Sequence, residues 1–441
     1  MTQAVETGTS AMLFPAAIFV LSYAAIVTER VNRAVAALLG AGLAIAAGLI
    51  NQTEAIAAID FNTLALLAGM MIIVGIAKKS GVFGYLAIRA AQIMKARPAG
   101  ILVALPLVTA VLSALLDNVT TVLLIVPVTL VICSELQIRP YPFLFAEIFA
   151  SNIGGTATLI GDPPNILIGS AVGLTFNDFV LTLTPVILVV FAVQTALNHV
   201  IWGRHMHAAK ADRERIMAMS AASAVEDWKL LKLSLAVIAL TILGFVLARP
   251  LALEAGTIAL FGAAILMLLD SVRYPREEHG EAVSAALNSV EWVTIFFFIG
   301  LFVLVGAIER AGILRLMSQE LLAATGGNAR TTALGILWGS AILSAVVDNI
   351  PFVASMIPVV KSLAPAMGGD TAILPLWWSL ALGASLGGNG TLIGASANII
   401  VAGIAERAGE RMAFLPFLRL AFPLMLLQIA ICHLYVVWRF F

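Results

Sequence analysis

Charge is what this chain has least of. Of 441 residues, 11% are Asp, Glu, Lys or Arg, where a soluble domain carries about 25%. A shortage of that size excludes an ordinary soluble globule. The formal net charge is zero, so nothing points to a nucleic acid or another polyanion as partner. Only two cysteines occur, Cys133 and Cys432. Two thiols so far apart make neither a disulfide framework nor a thiolate metal motif. The five histidines are scattered, and His205-x-His207 reads as a solvated pair at a membrane face. GGTATLIG at Gly154 lacks the Gly-Lys-Ser/Thr that a phosphate-cradling loop needs, so ATP is not used by this chain itself. No Ser/His or metal-ligand pair falls at catalytic spacing, which argues against an enzyme. The segment MTQAVETGTS has no basic n-region and runs into a full-length apolar stretch, so no cleaved leader is expected.

What the chain has is apolar length, written twice. It is 61% hydrophobic with a mean hydropathy of +1.03. Many runs reach the roughly 20 residues that span a bilayer. DNVTTVLLIVPV begins at Asp117 and DNIPFVASMIPV at Asp348, 231 positions later. Upstream, Thr63, Gly69, Gly75 and Gly81 pair with Thr294, Gly300, Gly306 and Gly312 at the same offset. GGTATLIGDPPNI at Gly154 and GGNGTLIGASANI at Gly387 follow at an offset of 233. Two copies of one hydrophobic unit, each holding polar motifs inside apolar stretches, read as a secondary transporter.

Full spans are expected near 12–29, 33–50, 61–78, 179–202, 229–248, 253–270, 291–309 and 414–437. Between 99 and 136, and again between 330 and 364, two apolar arms flank an Asp-Asn pair. A straight lipid-facing helix would not carry that pair at its centre, so each stretch is expected to be a re-entrant hairpin with the motif at its tip. The stretches 142–176 and 372–405 are expected to be broken helices, unwound at the Gly-rich motifs by glycines 154, 155, 387 and 388. The segment 81–96 is too short and basic to span and reads as an interfacial helix. With the N-terminus outside, 19 of the 25 Lys and Arg fall on the cytoplasmic side, as the positive-inside rule requires. Each half then has five crossings, an odd number, so the halves are inverted: 1–202 and 229–441, joined by a cytoplasmic linker at 203–228. The fold class is an all-α polytopic membrane protein.

The chemistry sits in the motifs. A carboxylate at the bilayer centre costs roughly 2.5–3.5 kcal/mol on insertion scales, and Asp117 and Asp348 impose that twice. They are expected to hold a cation or a transferable proton; capping of the hairpin turn is the competing role and is compatible with it. Asn118, Thr121 and Asn349 flank them with oxygens suited to sodium or to a hydroxylated solute. In the breaks, Asn152, Thr158 and Asn165 in the first half and Asn389, Thr391 and Asn398 in the second are candidate ion or substrate ligands, Thr158 pairing with Thr391 and Asn165 with Asn398. Glu147 and Asp162 have no acidic counterpart (Leu380 and Ala395 stand there) and are candidate proton relays. No metal site and no cofactor are expected beyond the coupling ion, H+ or Na+.

DNVTTVLLIVPVT, AEIFASNIGGTATLIGDPPNILI, DNIPFVASMIPV and LGGNGTLIGASANIIVAGIAE together resemble the ArsB/NhaD type of permease within the ion transporter superfamily, in the branch of the pink-eyed-dilution protein and many bacterial arsenite permeases. The resemblance spans the chain from about residue 12 to its end. It implies an inverted-repeat carrier in the cell's inner (plasma) membrane, with the lipid bilayer and a small solute or ion as partners. Relatives of this type are often homodimers, and some arsenite pumps add a soluble ATPase. The implied ion and substrate residues are the tip and break residues just named. Dicarboxylate carriers of the superfamily have Ser-Asn-Thr at both tips; Asp-Asn here disfavours a dianion. The leading expectation is proton-coupled efflux of arsenite or antimonite by alternating access. A sodium/proton antiporter and an organic or inorganic anion carrier are the alternatives.

Overall fold

The computed structural model describes residues 9–28 and 30–441. The first eight residues and Glu29 lie outside it, and with them the reading of the leader and the end of the first expected span. The described residues are helical, with no strand among them. In chain order the first half holds α1 (Thr9–Thr28), α2 (Arg33–Ala46), α3 (Gln52–Ala58), α4 (Phe61–Lys78), α5 (Val82–Ile93), α6 (Pro98–Leu115), α7 (Asn118–Glu135), α8 (Tyr141–Thr156), α9 (Pro163–Val172) and α10 (Phe176–Ile201). A linker helix, α11 (Lys210–Ala218), follows. The second half holds α12 (Trp228–Val246), a one-turn α13 (Ala248–Leu251), α14 (Ala255–Ser271), α15 (His279–Leu287), α16 (Trp292–Arg310), α17 (Ile313–Thr325), α18 (Ala329–Ser344), α19 (Asn349–Met367), α20 (Leu374–Gly387), α21 (Ser396–Arg407) and α22 (Phe414–Phe440). Leaving aside α11 and α13, the ten helices of one half answer one for one to those of the other.

Packing between the halves is reciprocal. Helix α4 lies against α14, and its repeat mate α16 lies against α2, the mate of α14. Glycine sets the approach in both places. A Cβ on Gly69 would fall 2.6 Å from the Ala259 backbone, and one on Gly300 would fall 2.6 Å from the Ala37 backbone. These helices, with α1 and α12, form one bundle. The hairpins α6–α7 and α18–α19, the broken helices α8–α9 and α20–α21, and α10 and α22 form a second.

Among the described residues, eight helices are long and apolar enough to cross a membrane, including both arms of the first hairpin and the second arm of the other. Length alone therefore does not separate a hairpin arm from a crossing. The sharp Asp-Asn turn between the arms does. Two expected spans are shorter than their apolar runs. Helix α2 has 14 residues, about 21 Å at 1.5 Å each, because Gly48 turns left-handed (φ 72°) and Asn51 opens α3 with a capping box to Glu54. Helix α14 has 17 residues.

The expected segment 81–96 is α5, and Gly81 starts it at φ 78°. Its mate Gly312 starts α17 at φ 79°, a helix that the repeat implied but the span search passed over. The linker is strapped beneath the first hairpin. Arg213 donates to the Lys95 carbonyl at 3.0 Å, Gln92 to the Met219 carbonyl at 2.7 Å, and Arg215 pairs with Glu135 at 3.3 Å. Asp227 then caps α12 through the Lys229 and Leu230 amides and pairs with Arg273.

Two outcomes follow from this packing. Gly69→Leu and Gly300→Leu are expected to cost about 1–3 kcal/mol each as overpacked sites, lowering the melting temperature in detergent. Gly42→Leu, at a site with open space, is expected to leave melting unchanged. The Leu230 amide and then the Arg273 guanidinium hold the Asp227 carboxyl below the usual carboxylate range. A depressed folded pKa adds stability above the unfolded value of about 3.9 and loses it as pH falls through the folded value. Asp227→Ala should therefore melt lower than the native protein at pH 6, by the loss of a cap worth about 1 kcal/mol, with the gap closing toward pH 3.

Candidate functional site

Four helices begin at one place. The first residues of α7, α9, α19 and α21 (Asn118, Pro163, Asn349 and Ser396) line a single cavity of about 20 Å³, room for about one water. Arg33, Asp117, Asp162, Glu291 and Thr294 complete its polar lining. The residues before those four helices are Asp117, Asp162, Asp348 and Ala395. Three of the four electropositive helix ends thus carry their own carboxylate.

The three aspartates do different things. Asp117 accepts from the Thr120 amide at 2.8 Å and the Thr120 hydroxyl at 2.5 Å, so both of its oxygens serve the cap. Asp348 accepts from the Ile350 amide at 3.0 Å through Oδ1 and from the Ser396 hydroxyl at 2.8 Å through Oδ2. Asp162 caps nothing. Its Oδ1 receives the Asn118 amide at 3.3 Å and the Asn349 amide at 3.5 Å. One carboxylate is thereby touched by the tips of both hairpins. Its Oδ2 is buried with no well-aligned donor, and the Ser385 hydroxyl lies beside the carboxylate.

The asparagines of the breaks join the halves. Asn152 donates to Asn389 and to Asn398, each at 3.0 Å, and accepts from Asn118 at 3.2 Å. From Asn389 the chain of amides runs on to Gln428 (3.1 Å), Gln194 (2.9 Å) and Asn198 (2.9 Å). All are buried. In a dry interior each such amide needs its partner, so the chain fixes α8 to the second break, at the 3₁₀ turn after α20 and at α21, and α10 to α22.

Thr158 and Thr391 have a second-order place. Their hydroxyls donate to the Ala114 and Ala345 carbonyls at 2.5 Å each, docking each break onto its own hairpin. Asn165 and Asn398 donate to the carbonyls of Thr158 and Thr391 at 2.8 Å each, closing the unwound loops. Thr121 lies one turn inside α7 with its hydroxyl buried and unpartnered. Glu147, buried in α8, is not among the residues lining the cavity: its Oε1 accepts from Thr129 of α7 at 2.5 Å and its Oε2 has no partner.

The glycines of the breaks act differently from expectation. Gly154, Gly155 and Gly387 lie inside or at the end of α8 and α20, and Gly388 opens a single 3₁₀ turn. The unwound residues come after them. A Cβ on Gly154 would meet the Ala110 carbonyl at 2.2 Å, and one on Gly387 the Ala341 carbonyl at 2.5 Å. These two glycines let the hairpins pack close; they do not unwind the chain.

Arg33, Glu291 and Thr294 of the cavity were absent from the sequence-based candidates. Arg33, counted there only as a cytoplasmic charge, donates to Ser396 at 2.7 Å and Thr294 at 3.1 Å. Glu291 accepts from Thr294 at 3.1 Å. Its signal was present, since Asp60 is its mate at the 231 offset and bonds Thr63 in the same way. Arg33 had no such signal. Among the described residues, no group of three His, Cys, Asp or Glu side chains is set to hold a metal.

The CitMHS family, described as citrate transporter, matches residues 23–383. An uncharacterized transporter of Mycobacterium tuberculosis (strain H37Rv) is 43% identical over 429 residues, covering 96% of this chain and 97% of that protein. The P protein of Mus musculus is 35% identical over 497 residues, covering 94% of this chain and 59% of that protein. The crystal structure of the Alcanivorax borkumensis YdaH transporter superposes with a TM-score of 0.58 at 16% identity, over 86% of this chain and 85% of that one, a likeness of fold. The expected ArsB/NhaD resemblance is met at the level of the ion transporter superfamily. The family and the structural neighbour are transporters, not enzymes.

Asn152→Ala would leave the Asn389 and Asn398 side-chain oxygens without their donor, while the Asn118 amide keeps Asp162. The expected loss is about 1–3 kcal/mol, read as a lower melting temperature in detergent. Unchanged melting would show that these amides do not hold the halves together.

Proposed function

The chain belongs to the CitMHS citrate transporter family, and we propose that it is a cation-coupled secondary carrier working by alternating access, with Asp162 as the coupling carboxylate. The observation that carries this reading is that Asp162, alone of the three aspartates, is touched by both hairpin tips. Asp117 has both oxygens engaged in its cap.

Charge counting supports the same view. Four helix ends contribute about half a positive charge each, and Arg33 adds one. With Asp117, Asp162 and Glu291 of the lining and Asp348 just behind Asn349 ionised, about one negative charge is in excess at the site. A single H+ or Na+ neutralises it. The loaded site can then cross the bilayer without exposing net charge to lipid, where a charged side chain costs roughly 2.5–3.5 kcal/mol or more.

For the solute, amides and hydroxyls outnumber cations around the cavity, which suits a small uncharged polyhydroxy molecule. Arsenite, mostly the neutral trihydroxide at neutral pH, and antimonite are of that kind. The proposed activity is proton-coupled efflux of such a solute across the cell's inner membrane, with the amino terminus outside. A second reading has its own observation. Arg33 and the α21 amino terminus, which Ala395 leaves without a carboxylate of its own, form a positive spot that Asp348 answers, 3.9 Å from Arg33 and bonded to Ser396, and that comes free when Asp348 is protonated. That spot would accept one carboxylate of an organic anion such as the citrate of the family's name. A third reading, sodium itself as cargo exchanged for protons, uses the same excess negative charge.

Purified protein in liposomes separates the three. Under imposed pH or sodium gradients, arsenite, citrate and sodium are each followed. Asp162→Asn is expected to lower gradient-driven movement at least tenfold, and Asp117→Asn, which keeps a competent cap, less than threefold. Native rates in Asp162→Asn would overturn the coupling role.

A further inference from the structure

Arg33 joins the two bundles at the point where they meet the site. It opens α2, in the bundle that holds the reciprocal glycine contacts. On that side its guanidinium lies 5.3 Å from the centre of the Phe297 ring and donates to Thr294 at 3.1 Å. Both residues belong to α16, and Glu291, which accepts from the same Thr294 hydroxyl, precedes it. On the other side Arg33 donates to Ser396, the first residue of α21, at 2.7 Å. It also lies 3.9 Å from Asp348, at the tip of the second hairpin. Ser396 donates to that same Asp348 oxygen at 2.8 Å. The guanidinium is thus shared between a neutral and acidic seat on α16 and an acidic seat on the hairpin bundle. Arg33 and Asp348 are largely shielded, with side chains 26% and 20% exposed. Asp117 and Asp162 line the same cavity.

We propose that Arg33 is a tethered counter-ion: it neutralises Asp348 and latches the second hairpin to the α2–α16 bundle when the cavity holds no cation, and a cation entering the cavity displaces it. The displaced guanidinium keeps its charge and its α16 seat on Thr294, Phe297 and Glu291. The hairpin tip exchanges one positive charge for another, so neither state leaves Asp348 uncompensated. The latch opens only as the site loads. This rests on the cation-coupled reading above and adds the residue that enforces it: two cations compete for one carboxylate, so removing the tethered one must strengthen binding of the free one.

The test is thermal unfolding of the purified full chain in detergent. It is titrated with NaCl against choline chloride at constant ionic strength, and separately with protons between pH 5.5 and 8.5. In Arg33→Gln the cation concentration giving half of the stabilisation is expected to fall at least threefold. Arg33→Lys, which restores the charge, should move it back toward the native value. Arg33→Met, which keeps packing over Phe297 without charge, serves if the glutamine variant does not fold. Tyr23→Phe removes a different contact between the bundles, the 2.9 Å bond to the Pro351 carbonyl and its partner Ser355, and should leave the midpoint alone. An unchanged or higher midpoint in both uncharged variants, or an equal shift in Tyr23→Phe, overturns the latch. No stabilisation by either cation in the native protein overturns instead the coupled-carrier reading on which it rests.

Discussion

A single carboxylate, Asp162, receives the tip asparagine of each hairpin, and the rest of the site is arranged around that fact. The two hairpins come from different halves and reach the centre along different arms. What lets them share one acceptor is the break in the first half: the chain leaves α8 after Thr156, turns through Gly161, and presents Asp162 just before Pro163 starts α9. The second half has Ala395 at the same point, so the repeat is symmetric in backbone and asymmetric in charge. A symmetric pair of aspartates would place two like charges side by side in a dry cavity. One aspartate and one alanine avoid that repulsion and leave Asp348 free to engage Ser396 instead.

The buried amides explain how so polar a centre persists among apolar helices. Asn152, Asn389, Asn398, Gln428, Gln194 and Asn198 are all buried, and each finds a neutral partner within 3.2 Å. Amides keep hydrogen-bonding capacity without the solvation demand of charge. They give the hairpin bundle a rigid spine while the carboxylates stay at the helix starts, where the helix ends favour them.

Much of this was legible in the residues. Both Asp-Asn tips, both breaks and the inverted pairing follow from a repeat whose polar positions recur at 231 and 233. The starts of α7, α9 and α19 follow from Asp or Asp-Pro at their entries, and that of α21 only from its repeat pairing with α9. Other parts left no mark. Gln194 and Gln428 are lone polar residues in long apolar helices, and only the packing of α10 on α22 makes them partners. Arg33 looked like any basic residue at a cytoplasmic helix end; its contacts lie 261 and 363 positions away. The break glycines were misread because tight packing and backbone unwinding ask for the same residue. Helix α17 was missed because it is too short and polar to register as a span.

The reciprocal glycine contacts also bear on how the chain is made. Gly69 meets its backbone partner at Ala259, some 190 residues further on. At synthesis rates of about 5–20 residues per second, α4 waits on the order of 10–40 s for α14 to emerge. Through that interval its glycine groove faces lipid or a helper protein, since nothing already translated is shaped to fill it. The first half therefore enters the bilayer as an unfinished object, and the nascent carrier is most exposed to degradation before its last third leaves the ribosome.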